Sequence, residues 1–277
     1  MVSMHPPTSL AQRTGLALAE ALRQSRPSQP LLADGRIRRA SDLLIDGVQH
    51  DQLPDSLDRT RLKSPHSATA LAINSFLPWQ SALDQLPLNG VEGFEAIQFE
   101  VRCPTGLRGT PPHLDLLALR VDSAVAVIVR CTEYLSRRRS PLAASYDRLL
   151  ATTLGLAPWL TQLEQLRTAR EGPRHVDVGA LIKHALALGR TFPDRPSTLL
   201  YLFWEPLDAE QFEEFRRHRQ ELERLVDAVH EARVRFVAQS FAALWQDWGE
   251  RPSPLWLRAH VERLRARYSV SLAGARR

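Results

Sequence analysis

The sequence predicts an α/β fold with a mixed central sheet flanked by helices, and three stretches carry that prediction. Residues 113–121 and 124–130 read as strands joined through only Asp122 and Ser123, a link so short that the two must form an antiparallel hairpin. Residues 177–189 place Val178, Leu181, Ile182, Ala185 and Leu188 at helical spacing behind a capping Asp177. Thr198 to Trp204 is an apolar, β-rich run of the kind found in a strand covered on both faces.

The other elements follow in chain order. Leu10, Leu16, Leu18, Ala19 and Leu22 mark a helix over 8–24, and the polar stretch Ser25 to Pro30 ends it. From Ala33 to Pro65 the pattern is irregular and charged, with one short helix near Ala40 to Ile45, and reads as a lead-in segment wrapped on the core. Ser64 to Ser67 offers capping side chains ahead of Ala70, Leu71, Ile73, Phe76 and Leu77, a buried helix that stops at Pro78. Residues 94–102 read as a strand through Phe94, Ile97, Phe99 and Val101, and the Gly- and Pro-rich run Pro104 to Pro112 is a loop. Helical patterns return over 143–155 and 158–168. From Asp208 to Trp248 the chain reads as helical, with Phe212, Phe215, Leu222, Leu225 and Val229 on its buried face and a break near Ala232 to Val237. A last amphipathic helix runs from Pro254 to Tyr268. Across 67–205 the order is αβββαβ. The chain therefore divides into an N-terminal helix and lead-in (1–60), an α/β core (61–206) and a C-terminal helical region packed on it (207–277).

Composition bounds the function. The 277 residues are 44% hydrophobic and 24% charged, enough to bury a full-sized core. No apolar run approaches the roughly 20 residues that cross a bilayer, and Met1 to Ser9 lacks the basic end and apolar stretch of a secretory leader, so a cytoplasmic protein is expected. Two cysteines, Cys103 and Cys131, make neither a disulfide framework nor a zinc site and read as small buried residues. The net charge is +5, and of 36 basic residues only Lys63 and Lys183 are lysines. Arginine suits bidentate phosphate contacts, so a polyanionic partner is permitted. No Gly-rich phosphate loop, nucleophile elbow or paired-His metal motif appears.

Metal-assisted phosphodiester cleavage needs carboxylates converging on a hard cation and a nearby positive charge. A hairpin supplies both, because residues two apart on a strand share a face. The run Pro111-Pro112-His113-Leu114-Asp115, followed by Ile128-Val129-Arg130-Cys131-Thr132-Glu133-Tyr134-Leu135, resembles the PD-(D/E)xK nuclease superfamily. The nearest likeness is to bacterial and phage-like restriction-endonuclease-like proteins in which an acid, a spacer and a lysine precede an aromatic or small residue and then Thr-Glu-Tyr-Leu. It covers mainly residues 61–206, with further similarity in Pro104 to Thr110 and Phe192 to Pro196. The resemblance implies a restriction-endonuclease-like αβββαβ core, Mg²⁺ as cofactor in an active member, and nucleic acid, in the first place DNA, as partner. On its register Asp115 is the first acid, Ile128 holds the second acid's position and Arg130 the lysine's.

Those departures shape the functional expectation. Ile128 cannot ligate a metal, and Arg130 keeps a positive charge but titrates too high to act as a base. A nucleic-acid-binding protein with lost or reduced hydrolytic activity is the first expectation. An active endonuclease would need relocated groups, and Glu100 on the first strand is the better substitute acid, ahead of Glu95 and Glu133. Lys183, beside His184, could re-supply the cation. Arg130 could instead pair with Asp115 where the metal would lie. The run Arg137-Arg138-Arg139 is a candidate for contacts to nucleic-acid backbone together with Arg130. A different class of function, a protein-interaction scaffold with a vestigial cleft, would put the contact surface on the charged stretch Asp208 to Trp248.

Overall fold

The computed structural model describes residues 9–25, 32, 36–55, 57–136 and 140–273. Its centre is a five-stranded sheet in the order β1 to β5, built from β1 (Ala96–Arg102), β2 (His113–Leu119), β3 (Ala124–Arg130), β4 (Ser197–Phe203) and β5 (Val234–Ser240). The first three strands pair antiparallel, and β3, β4 and β5 run parallel, so the sheet is mixed. β2 and β3 meet at the short Asp122-Ser123 link, as the sequence requires, whereas β3 reaches β4 through the helices α3 (Ser145–Thr152), α4 (Ala157–Thr168) and α5 (Val178–Thr191).

Each face of the sheet is covered. Val125, Val127 and Val129 of β3 and Leu200 and Leu202 of β4 pack under α2 (Ala68–Phe76), α7 (Phe241–Gly249) and α8 (Leu257–Tyr268). Here Trp248 meets the edges of Phe76 and Trp79, and α1 (Leu10–Ser25) lies against α8. The alternate residues, Ala126 and Ile128 with Leu199, Tyr201 and Phe203, pack under α4, α5 and α6 (Glu213–Ala228). Period-two alternation thus gives β3 and β4 two buried faces, which is why both read as continuous apolar runs.

Local capping follows the sequence. Ser67 accepts the Ala70 amide at the start of α2, and Asp177 accepts the Ala180 amide at the start of α5. The segment near Ala40 is a 3-10 turn. Cys103 and Cys131 are free and buried. Among the described residues no helix is long and apolar enough to cross a membrane.

One expectation is corrected. The supposed helix break near Ala232 to Val237 is β5, the parallel edge strand of the sheet, so the C-terminal region contributes to the sheet as well as covering it. Val234 and Phe236 face the core while Arg235 faces solvent, the alternation of a half-covered edge strand. In sequence, this seven-residue alternation is hidden between two strongly helical patterns.

Candidate functional site

The ladder between β2 and β3 runs from Leu119–Ala124 to Leu116–Val127 and stops there. Past that point Asp115 Oδ2 accepts the Val129 amide at 2.8 Å, so a side chain takes over from a backbone carbonyl where the strands part. Asp115 is only 5% exposed. Burial raises its pKa, the Arg130 guanidinium and the Val129 amide oppose that rise, and the charge of Glu100 adds to it.

On the other flank of Asp115, β1 makes its own exception. Phe99 pairs with Leu116 and Val101 with Leu114, while Glu100 between them adopts φ 57°. That left-handed conformation costs a residue with a side chain roughly 1–2 kcal/mol. It is offset by strong contacts, because Glu100 Oε2 lies 2.8 Å from Arg61 Nη1 and 2.8 Å from His113 Nε2. Burial works against ionisation of Glu100, but hydrogen bonds and charge from His113 and Arg61 outweigh it and hold its pKa below the usual value.

The result is a cluster of three potential ligand atoms, from Glu100, His113 and Asp115, all within 4.8 Å of one another. Beside it Arg130 Nη1 donates to the Val129 carbonyl at 2.8 Å and lies 4.0 Å from Asp115 Oδ2. The guanidinium therefore borders the cluster without filling it. Ile128 is fully buried in the core beneath and offers nothing to the site.

An open cleft of ≈ 540 Å³ lies over this end of β3, with Arg61, Asp115, Arg130 and Tyr201 among its lining residues. It opens where β3 ends, and the carboxyl ends of parallel strands are where open α/β sheets place their ligands. Its walls are pinned by side chains that serve the backbone. Glu133 accepts the Cys131 and Thr132 amides at 2.7 and 3.1 Å, which fixes the turn after β3. Tyr134 donates its hydroxyl to the Trp204 carbonyl and stacks on His218 at 3.9 Å. Asp177, besides capping α5, accepts the Ser140 amide at 3.0 Å and the Ser140 hydroxyl at 2.7 Å, tying down the rim.

Of the residues singled out in the sequence, Glu100, Asp115 and Arg130 come together. Glu95 is exposed at the opposite end of β1, and the carboxylate of Glu133 is committed to its turn. Lys183 is half-buried on α5 and lies outside the cleft lining, to which that helix gives Ala180 and Leu181. Its neighbour His184 is buried, and its pKa is pushed down to about 3 by burial and by the charges of Arg130, His113 and Lys183. Arg137, Arg138 and Arg139 lie outside the described residues. Two members of the cluster escaped the sequence reading. His113 stands two before Asp115 on the same strand, a spacing that could have flagged it. Arg61 approaches from a distant 3-10 segment and left no signal.

Residues 47–269 match the family model described as Restriction Endonuclease associating with ARP. The chain belongs to that family. No curated protein and no solved structure matches it. The mixed five-stranded sheet with helices on both faces is consistent with a restriction-endonuclease-like fold, as the sequence led us to expect. In this restriction-endonuclease family member the matched span takes in β5, α7 and α8 together with the hairpin and its cluster.

Proposed function

We propose that this family member is a divalent-metal-dependent phosphodiesterase acting on DNA, on a PD-(D/E)xK scaffold whose second acid has moved from position 128 to Glu100. The observation that carries the reading is the convergence of the Glu100 and Asp115 carboxylates with His113, ligand atoms within 4.8 Å. Octahedral donors about 2.1 Å from Mg²⁺ are at most about 4.2 Å apart, so the cluster has to close by only a few tenths of an ångström. A divalent ion held there supplies Lewis-acid stabilisation of charge on a phosphodiester.

The chain's own groups supply the rest. The Val129 amide fixes the Asp115 carboxylate, and Arg130 and Arg61, both in the cleft lining, can grip the phosphate backbone. Arg130 cannot take a proton from water, so this site works more slowly than one with a lysine in that position. The family description adds a partner, ARP, to this reading, and a cytoplasmic setting agrees with it.

The test is incubation of the purified chain with plasmid and with single-stranded DNA in Mg²⁺ or Mn²⁺. Cutting that needs the ion and disappears in Glu100→Gln and Asp115→Asn is the expected result. Absence of cutting with either ion overturns it.

A second reading, nucleic-acid binding without hydrolysis, is favoured by one observation: the Glu100 carboxylate is already paired with Arg61 and His113. Binding that weakens steeply with salt, through release of counterions from phosphates, in a chain that cuts with neither ion, would select this reading.

A further inference from the structure

We infer that His113 is the third protein ligand of the ion and that it tunes the site to a first-row transition ion such as Mn²⁺ in preference to Mg²⁺. The inference rests on the metal-dependent reading above and adds the identity of the donor set. His113 and Asp115 are two apart on β2 and face the same side, and Glu100 reaches the same point from β1. His113 Nε2 is the ring nitrogen aimed at that point, 2.8 Å from Glu100 Oε2.

Asp115 gives the independent sign that the point is made for a ligand. It is 5% exposed, and of its two oxygens only Oδ2 takes a hydrogen bond among the described residues, from the Val129 amide. The other oxygen of a buried carboxylate is left for a cation, and the nearest protein cation, Arg130, stands off at 4.0 Å with its Nη1 hydrogen bond given to the Val129 carbonyl.

The chemistry of the donors then decides the ion. Mg²⁺ takes oxygen ligands in a near-ideal octahedron and dehydrates reluctantly. An imidazole suits first-row transition ions, and carboxylates suit Mn²⁺ as well as Mg²⁺. One nitrogen with two carboxylate oxygens therefore favours Mn²⁺, leaving further positions of the ion for water and a phosphate oxygen.

The experiment uses the full chain, stripped with chelator, and reads binding rather than cutting. Mn²⁺ is titrated by electron paramagnetic resonance, and Mg²⁺ by its competition with Mn²⁺. Wild type should hold Mn²⁺ about tenfold or more tighter than Mg²⁺. Pulsed resonance of the Mn²⁺-loaded chain should show nitrogen coupling from one imidazole, and that coupling should vanish in His113→Gln. His113→Asp, an all-oxygen set, should narrow the preference toward parity. Equal affinity for the two ions, or Mn²⁺ bound without nitrogen coupling, overturns the inference and leaves the Glu100–Asp115 site standing. Failure of the wild-type chain to bind either ion overturns both. The wild-type coupling is read without any variant, so a misfolded substitution does not shelter the claim.

Discussion

Asp115 holds the third strand through the amide of Val129, 2.8 Å from its carboxylate, at the point where the hairpin ladder ends. One buried side chain thus joins the structure of the hairpin to the chemistry of the cleft, and two substitutions should separate these roles. Asp115→Asn keeps an acceptor for the amide, so stability in urea should change little while ion binding and cutting are lost. Asp115→Ala leaves a buried amide unpaired and should lower stability by about 1–3 kcal/mol as well. Cutting retained by either variant would remove Asp115 from the site.

Arg130 occupies the cation position beside the cluster. Arg130→Lys keeps the charge and supplies an amine whose pKa can shift. The rate of metal-dependent plasmid cutting should rise about tenfold, at the low end of what positioned acid–base groups give. Lys183→Ala, outside the cleft lining, should leave the rate unchanged. A fall in rate with lysine at 130 would contradict the proposed role of that position.

Acid should weaken the fold before carboxylates titrate fully. His184 and His260 are buried, and burial, aided by neighbouring cations, pushes their pKa values from 6.5 down to about 3 and about 4. The unfolded chain takes up these protons first, so the stability tied to each neutral imidazole is complete above 6.5 and is lost as pH falls toward the folded value. For His260 the loss between those limits is on the order of 3 kcal/mol. Urea unfolding at a series of pH values should show this slope, and His260→Leu, which cannot be protonated, should flatten part of it. The same slope in both proteins would argue against His260 as a source.

The edge strand can be tested through Phe236, which is 3% exposed and meets Trp159 edge-on at 6.0 Å. Phe236→Ala should cost about 3–5 kcal/mol, the range for emptying an aromatic site in a core. A loss under about 1 kcal/mol, as for a surface position, would mean that β5 is not integral to the sheet.

Much of this architecture was legible in the sequence because the hairpin, the two-sided strand β4 and the capped helix α5 each carry a pattern set by one dominant force, burial or capping. β5 was not, since seven residues of half-covered edge strand offer only weak alternation and lie between long amphipathic helices. The site divided in the same way. Asp115, Glu100 and Arg130 could be named because a strand's period fixes which residues share a face. The left-handed turn at Glu100 could not be read, and neither could its ion pair with Arg61, 39 positions away. Both depend on tertiary placement rather than on local spacing.

The backbone at Glu100 has an evolutionary consequence. At φ 57° a glycine, or an asparagine, would rest there with less strain than a glutamate. Drift toward stability alone therefore pushes this position away from an acid. A copy of the chain released from any duty in the cleft should lose Glu100 early and keep Ile128 and the rest of the hairpin core, so the residue found at position 100 is a simple marker of whether a relative still uses its cleft.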